Sequence, residues 1–404
     1  MRVLFLSRRY FPAISGMSIY AANLLRELVA QGHDVTMVSQ YRDDDYGKSV
    51  YGGGPPPAVP GVRVVGLPQT GEAATGDFES DIEVMVETMI EEHASAPFDV
   101  IHAQYGYPTG WAALLAGREA GLPVVVSIQG GDGHWVGSCC ECHRLAMTRV
   151  LDHADRVLIG GESFAAEVHE RLGTPLERFT LIPGAVDTKR FTPGNGPGEG
   201  PVRLLYHGRV DARKGALDTL HALARLETKR DWRCTMSGIG PDLAAAKALA
   251  DELSLGGRVS FTGYADYETV PDLYRAHDVF LSPTYAEGFS NTVLEAMASR
   301  HAILAGRSVG IVDCLRDGEN GILVEPGDIN AIARETARLV DDAQHRERLA
   351  GAALRECRET YSWAVVGRMI ADQYEAVAGR TQARGFETAL PRDPCRFRAE
   401  PHLL

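Results

Sequence analysis

Val279-Phe280-Leu281-Ser282-Pro283, followed by Glu287-Gly288-Phe289-Ser290-Asn291-Thr292-Val293-Leu294-Glu295, decides how this chain is read. The apolar run ends at Ser282-Pro283, as a short buried strand does. Gly288 to Asn291 is small, polar and flexible. Val293, Leu294 and Met297 then recur at helical spacing. The order is strand, loop, helix. Such a loop presents backbone N–H groups at a helix N-terminus, where anions bind. Glu287 before the loop and Glu295 in the first helical turns are placed to grip the hydroxyls of whatever carries that anion. A sugar nucleotide fits this description.

The same rhythm runs outward in both directions. Val3–Ser7 precedes a helical pattern from Met17 to Gln31, with Leu24, Leu25 and Leu28 apolar and Gly32 as its stop. Val35–Ser39, Val100–Ala103, Val124–Ile128, Val157–Ile159 and Leu181–Ile182 read as further strands, with a helix over Trp111–Ala120. The segment from Thr192 to Pro201 is rich in Pro and Gly and lacks apolar content, which marks a linker. The rhythm restarts at Val202–Tyr206 and continues through Cys234–Met236, Val259–Phe261, Val279–Leu281 and Ala302–Leu304. Alternating strands and helices predict α/β architecture: two doubly wound, Rossmann-like domains with parallel sheets covered on both faces. Ligands are expected at the carboxyl ends of the strands, in a cleft between facing domains. The expected boundaries are 1–191, linker 192–201, 202–361, a helix over 362–379 and a tail over 380–404, poorly ordered or draped on the surface. Tyr46–Pro60 is expected to be a mobile loop.

Composition narrows the function. The 404 residues are 45% hydrophobic and 24% charged, with a net charge of −13. That balance suits a soluble globular chain and disfavours nucleic acid or an anionic lipid surface as the main partner. No apolar stretch reaches the roughly 18–20 residues of a membrane span. The apolar run at the N-terminus is short and broken by Arg8-Arg9, so it reads as a buried strand and not a leader. The seven cysteines are odd in number and irregularly spaced, against a disulfide scaffold. The cytoplasm is the expected location. Integral membrane association is not expected, and a homodimer is the one protein assembly left open.

Several residues are placed for chemistry. Gly208-Arg209 follows the strand Val202–Tyr206, and Lys214-Gly215 opens the next helix. Arg209 and Lys214 thus offer a forked donor and a point charge of the kind a diphosphate needs; the alternative is two solvated surface charges. Gly16, in Pro12-Ala13-Ile14-Ser15-Gly16, sits at the first strand-to-helix turn, where backbone can approach a phosphate or form an ordinary tight turn. It belongs to no Gly-x-Gly-x-x-Gly fingerprint. Gln129-Gly130-Gly131-Asp132 and Gln104-Tyr105 end strands, where polar groups face a ligand. Asp132 could hold a hydroxyl or cap the following helix. Cys139 and Cys142 have C-x-x-C spacing, but no second such pair occurs, so they read as ordinary helix cysteines, with a metal or redox role as the alternative. No metal ligand set and no cofactor is expected.

Taken together, the Gly16 turn, Gly32-His33-Asp34-Val35, Pro183-Gly184-Ala185-Val186-Asp187 with Arg190-Phe191, Gly208-Arg209 with Lys214-Gly215, and Glu287 with Glu295 resemble the retaining glycosyltransferases of family 4, of GT-B fold, from Met1 to Ala378. The resemblance implies that Arg209 and Lys214 hold the donor diphosphate and that Glu287 meets donor sugar hydroxyls at the reacting face. It implies that Glu295 holds the ribose, that the amides of Phe289, Ser290 and Asn291 meet sugar and phosphate, and that Gly16 approaches the diphosphate. The helix over 362–379 is expected to return to the first domain. Gln129 and Gln104 stand where the family often has histidines. Glutamine bonds but does not titrate near neutrality, which argues against acid–base work there.

The expected reaction moves a sugar from a nucleotide diphosphate, UDP or GDP foremost, to a small-molecule, natural-product, glycan or lipid-intermediate acceptor. Configuration is retained through same-face attack, without a metal. The rival readings are a sugar-nucleotide epimerase, a glycan phosphorylase, a non-catalytic sugar-nucleotide binder and a dehydrogenase. The missing dinucleotide fingerprint weighs against the last.

Overall fold

The computed structural model describes residues 1–13, 15–45, 52–71, 75–130, 137–196, 200–380, 385–395 and 399. The chain divides into two compact units, Met1–Pro183 with Val366–Leu404, and Gly184–Val365.

In the first unit, β1 (Arg2–Ser7), β2 (Asp34–Tyr41), β3 (Val62–Pro68), β4 (Val100–Gln104), β5 (Val124–Ile128), β6 (Arg156–Ile159) and β7 (Phe179–Leu181) form one sheet in the order β3-β2-β1-β4-β5-β6-β7. Every pairing is parallel, with Val3 opposite Val35 on one side and Val100 on the other. The crossovers carry α1 (Gly16–Ala30), α2 (Phe78–Ser95), α3 (Trp111–Ala120), α4 (Glu141–His153) and α5 (Glu162–Leu172). Val3 to Leu6 and Val124 to Val126 are fully buried, because helices cover both faces of a parallel sheet. α1 starts at a capping box, in which Ser15 Oγ accepts from Ser18 N and Ser18 Oγ accepts from Ser15 N. It stops before Gly32, whose φ of +85° suits glycine. Strand order reverses between β1 and β4, and a crevice opens at their carboxyl ends.

The second unit repeats the scheme. Its sheet contains β8 (Val202–His207), β9 (Trp232–Ser237), β10 (Val259–Gly263), β11 (Val279–Ser282), β12 (Ala302–Gly306) and β13 (Ile322–Val324), ordered β10-β9-β8-β11-β12-β13 and parallel throughout. The helices are α6 (Ala216–Leu223), α7 (Leu243–Glu252), α8 (Val270–Arg275), α9 (Asn291–Ala298), α10 (Ile329–Asp341) and α11 (Ala343–Thr360). Its core fills from Leu204, Val279, Ala302 and Leu304 on the strands and Leu220, Ile332 and Leu339 on the helices. Here the switch point lies between β8 and β11. The last helix, α12 (Trp363–Val377), starts in this unit and from Val366 onward belongs to the first. Within the first unit, buried Tyr374 places its hydroxyl 2.6 Å from His102 Nδ1, and His102 Nε2 lies 2.7 Å from Ser127 Oγ. Burial lowers the His102 pKa to about 3, so the ring is a neutral bridge between helix and sheet.

The boundary between the units and two of the strands depart from the sequence reading. The units divide at Pro183, ahead of the Pro/Gly-rich segment 192–201. Residues 184–196 pack as part of the second unit: Val186 N donates to Tyr361 O at 2.8 Å, and Phe191 meets Tyr274 edge-on at 5.5 Å. Gly194 lies so close to Arg275 that a Cβ there would sit 2.0 Å from its carbonyl oxygen. Strands β3 and β13 go unread in the sequence. Residues 385–395 of the tail are laid along α3 and α4. Phe386 contacts Trp111 and His153 at ring distances of 5.9 and 5.2 Å. Arg118 and Arg149 donate to the carbonyls of Phe386 and Ala389. Part of Tyr46–Pro60 lies outside the described residues. Among the described residues, no helix is long and apolar enough to cross a membrane.

Candidate active site

The carboxyl edge of the second sheet is built from four loops that meet backbone to backbone. Gly208 follows β8, and a Cβ on Gly238, after β9, would sit 1.8 Å from its carbonyl oxygen. Gly215 has φ +67°, and a Cβ there would sit 2.3 Å from Pro283 O after β11. A Cβ on Gly310, after β12, would sit 2.6 Å from Glu287 O. Side chains at these positions would push the loops apart, so the glycines are what bring the loop after β8 against the loop after β11. The chemistry-bearing residues sit where these loops converge.

Arg209 is half exposed and pairs with Asp211 Oδ2 at 3.1 Å. Asp211 is buried and caps the helical turn Ala212–Lys214 by accepting from Lys214 N at 3.0 Å. One carboxylate therefore orients Arg209 and starts the turn that ends in Lys214. Lys214 Nζ lies 2.5 Å from Glu287 Oε1 and 3.5 Å from Ala286 O. The pair is partly exposed, with the two side chains 28% and 21% accessible, so an incoming anion can reach the ammonium. Glu287 N donates to Val309 O at 3.2 Å, which fixes the acid against the loop after β12.

Ser290 caps α9, its Oγ accepting from Val293 N at 3.4 Å. The first N–H groups of α9 have no carbonyl within their own helix, and Asn291 supplies one of them. The Phe289 ring is used for packing: it covers Gly184, where a Cβ would lie 2.5 Å from Cδ1, and meets Tyr361 at 5.8 Å. Glu295, one turn into α9, is 8% exposed, and its Oε2 accepts from Tyr274 OH at 2.9 Å. Burial raises its pKa to about 7, against the opposing pull of the Tyr274 hydrogen bond and the Arg190 charge.

In the first unit, Gly16 is the first residue of α1. Gln104, at the end of β4, is fully buried. It accepts from Ser7 Oγ at 3.0 Å and donates to Met17 O at 3.0 Å and Gln129 Oε1 at 3.3 Å. It ties the carboxyl ends of β1, β4 and β5 to the start of α1. Its place is as a brace behind Gly16 and Gln129. Tyr105 takes φ +82°, unusual for a residue with a side chain. A Cβ on Gly110 would lie 2.8 Å from Tyr105 O, so the turn after β4 is packed from within. Asp132 lies outside the described residues. Arg9, Tyr10, Gln40, Arg42 and Gln69 also line a small pocket at the carboxyl ends of β1 to β3, with Arg42 forked onto Asp44 at 2.8 Å.

Asp211, Tyr274 and this pocket went unread in the sequence. Asp211 stands three residues before Lys214, the spacing of an Asx cap, which is a usable signal. Tyr274 carries none, since only the fold brings it to Glu295. The cysteine reading also changes. Cys142 is fully buried, whereas Cys139, Cys140, His143 and Cys395 converge.

Residues 187–355 match the family described as "Glycosyl transferases group 1", and residues 15–185 match "Glycosyl transferase 4-like domain". The chain is 25% identical to glycogen synthase of Mycobacterium tuberculosis, over 98% of each chain. It is 27% identical to D-inositol 3-phosphate glycosyltransferase 2 of Catenulispora acidiphila, over 89% of each. Among solved structures, sucrose-phosphate synthase from Thermosynechococcus elongatus superposes with a TM-score of 0.75 at 23% identity, covering 93% of this chain and 98% of that one. With two doubly wound parallel units, a cationic loop after β8 and an acid-flanked helix start after β11, the chain belongs to the group 1 glycosyl transferases and is a GT4-type enzyme of GT-B fold.

Proposed function

We propose that the protein transfers a sugar from a nucleoside-diphosphate donor to an acceptor alcohol with retention of anomeric configuration. The observation that carries this reading is the convergence of Arg209, Lys214, Glu287 and the start of α9 at the β8/β11 switch point. Two cations and a helix N-terminus supply the charge that a leaving diphosphate needs, in a fixed array of donors. No metal ion is required at the reacting carbon for that task. Lys214 is held by Glu287 until the diphosphate competes for it. Glu287, relieved of its partner, then accepts from the donor sugar's hydroxyls, and Glu295 accepts from the ribose.

In the reaction, the bond from the anomeric carbon to the diphosphate oxygen breaks and a bond to the acceptor oxygen forms on the same face. The acceptor proton passes to the leaving phosphate oxygen. Buried, amide-bearing Gln104 and the amide of Gln129 hold groups in place without titrating. The pocket lined by Arg9, Tyr10, Gln40 and Arg42 is proposed to contact the acceptor. A net charge of −13 favours an acceptor in solution over one on an anionic lipid surface.

UDP-, GDP-, ADP- and dTDP-sugars tested by thermal shift will single out one nucleotide class, since a ligand bound at 100 times its Kd stabilises by about 2.7 kcal/mol. Proton NMR of the product formed from that donor will then show the donor's own anomeric configuration. An inverted product, or donor turnover without acceptor to an epimer, overturns the proposal.

A further inference from the structure

We infer that the first unit carries a structural zinc site of the Cys3His type that clasps the C-terminal tail. Cys139, Cys140, His143 and Cys395 each offer one ligand atom, and these four atoms lie within 4.8 Å of one another. Cys139 Sγ is 2.9 Å from His143 Nδ1, and Cys395 Sγ is 3.9 Å from the same nitrogen. Tetrahedral zinc, with bonds of about 2.3 Å to sulfur and about 2.0 Å to nitrogen, requires ligand atoms roughly 3.5–3.8 Å apart. Shifts of about 1 Å in the half-buried cysteine side chains bring the set to that geometry.

The surroundings suit such a role. Cys140 caps α4, its sulfur accepting from His143 N at 3.5 Å, so one thiolate would sit at the positive end of a helix. The His143 ring is wedged by Tyr107 at 4.5 Å and by Phe78 at 5.6 Å, which keeps Nδ1 turned to the sulfurs. Cys395 arrives from 252 residues further along the chain. It ends a stretch already fixed by Phe386 against Trp111, by Arg149 on the Ala389 carbonyl and by Arg392 on Asp77 at 3.2 Å. Three sulfurs and one nitrogen complete a closed tetrahedral set. A closed set leaves no open position for substrate, so the ion would be structural. The chemical preference is for a borderline-soft divalent cation, zinc above magnesium or calcium. The C-x-x-C spacing names the wrong partner for Cys139: Cys142 is fully buried, and the second ligand is Cys140, next to Cys139 in the chain.

The test is metal content and cobalt spectroscopy on the full chain. The purified protein is expected to hold one equivalent of zinc after dialysis. Its cobalt-substituted form should show thiolate-to-cobalt charge transfer and the strong visible bands of tetrahedral cobalt. Cys395→Ser should lose the metal to a mild chelator while circular dichroism stays unchanged, and Cys395→His should regain tetrahedral cobalt bands. Cys142→Ala should keep the metal. Chelation of the wild type should expose residues 385–395 to protease. Absence of stoichiometric zinc, metal retained in Cys395→Ser, metal lost in a folded Cys142→Ala, or a disulfide from Cys395 to Cys139 or Cys140 in the purified protein overturns the inference.

Discussion

Lys214 and Glu287 hold each other at 2.5 Å, and in the proposed function the donor diphosphate parts them. On that proposal Lys214→Ala removes a charge used when the diphosphate leaves, and Glu287→Ala removes an acceptor at the reacting sugar. Each is expected to lower kcat/KM by about 10²–10³, as losing one preorganised charge-stabilising partner does. Because both side chains are partly exposed, the melting temperature should move little; near-normal turnover in both purified variants contradicts their roles. Glu295 behaves differently. Its folded pKa, about 7, lies above its ordinary value of 4.5, so the folded state binds more protons than the unfolded between those two values. Its contribution therefore falls as pH rises through that window and is fully unfavourable above it. Glu295→Gln is expected to gain stability relative to wild type as pH increases from about 4.5 to 7, while losing donor affinity. A difference in melting temperature that stays flat across that range contradicts the buried, protonated carboxyl. The placement of Glu287 before the loop and of Glu295 in α9 was legible in the sequence from the loop and the apolar spacing. Tyr274 was not, since a partner supplied by the fold leaves no local pattern.

At the scale of elements, the site rests on loops held together by glycines. Gly215 combines φ +67° with a Cβ position 2.3 Å from Pro283 O, so it ties β8's loop to β11's. Gly215→Ala must distort one of the two loops. It is expected to cost about 1–3 kcal/mol in stability, the range for a strained backbone position, and to weaken donor binding more than a surface change would. Thermal melts paired with donor titration measure both, and unchanged donor affinity contradicts the loop-to-loop tie. The strands at the centre of each sheet were readable as apolar runs because burial on both faces permits little else. The half-exposed edge strand β3 has its apolar residues interrupted by Arg63 and Gly66, and β13 is apolar and buried but only three residues long. Composition misled at 192–201. Pro and Gly there look like a linker, yet Phe191 on Tyr274 and Gly194 against Arg275 pack the preceding residues and the segment's start into the second unit.

At the scale of the whole molecule, the repeated strand–helix rhythm was enough to read two doubly wound units, and the family match over both halves agrees. What the sequence could not disclose were contacts closed over long separations. Tyr374 on His102 and Cys395 beside His143 join the C-terminal segment to strands and helices laid down much earlier. The central assignment puts the donor's diphosphate at the β8/β11 switch point of the second unit. A crystal structure of the full chain with the nucleoside-diphosphate sugar chosen by thermal shift tests it most directly. Diphosphate oxygens should lie about 2.7–3.2 Å from Arg209 and Lys214, with Glu295 accepting from the ribose hydroxyls. A diphosphate bound elsewhere, with Lys214 still paired to Glu287, contradicts the assignment.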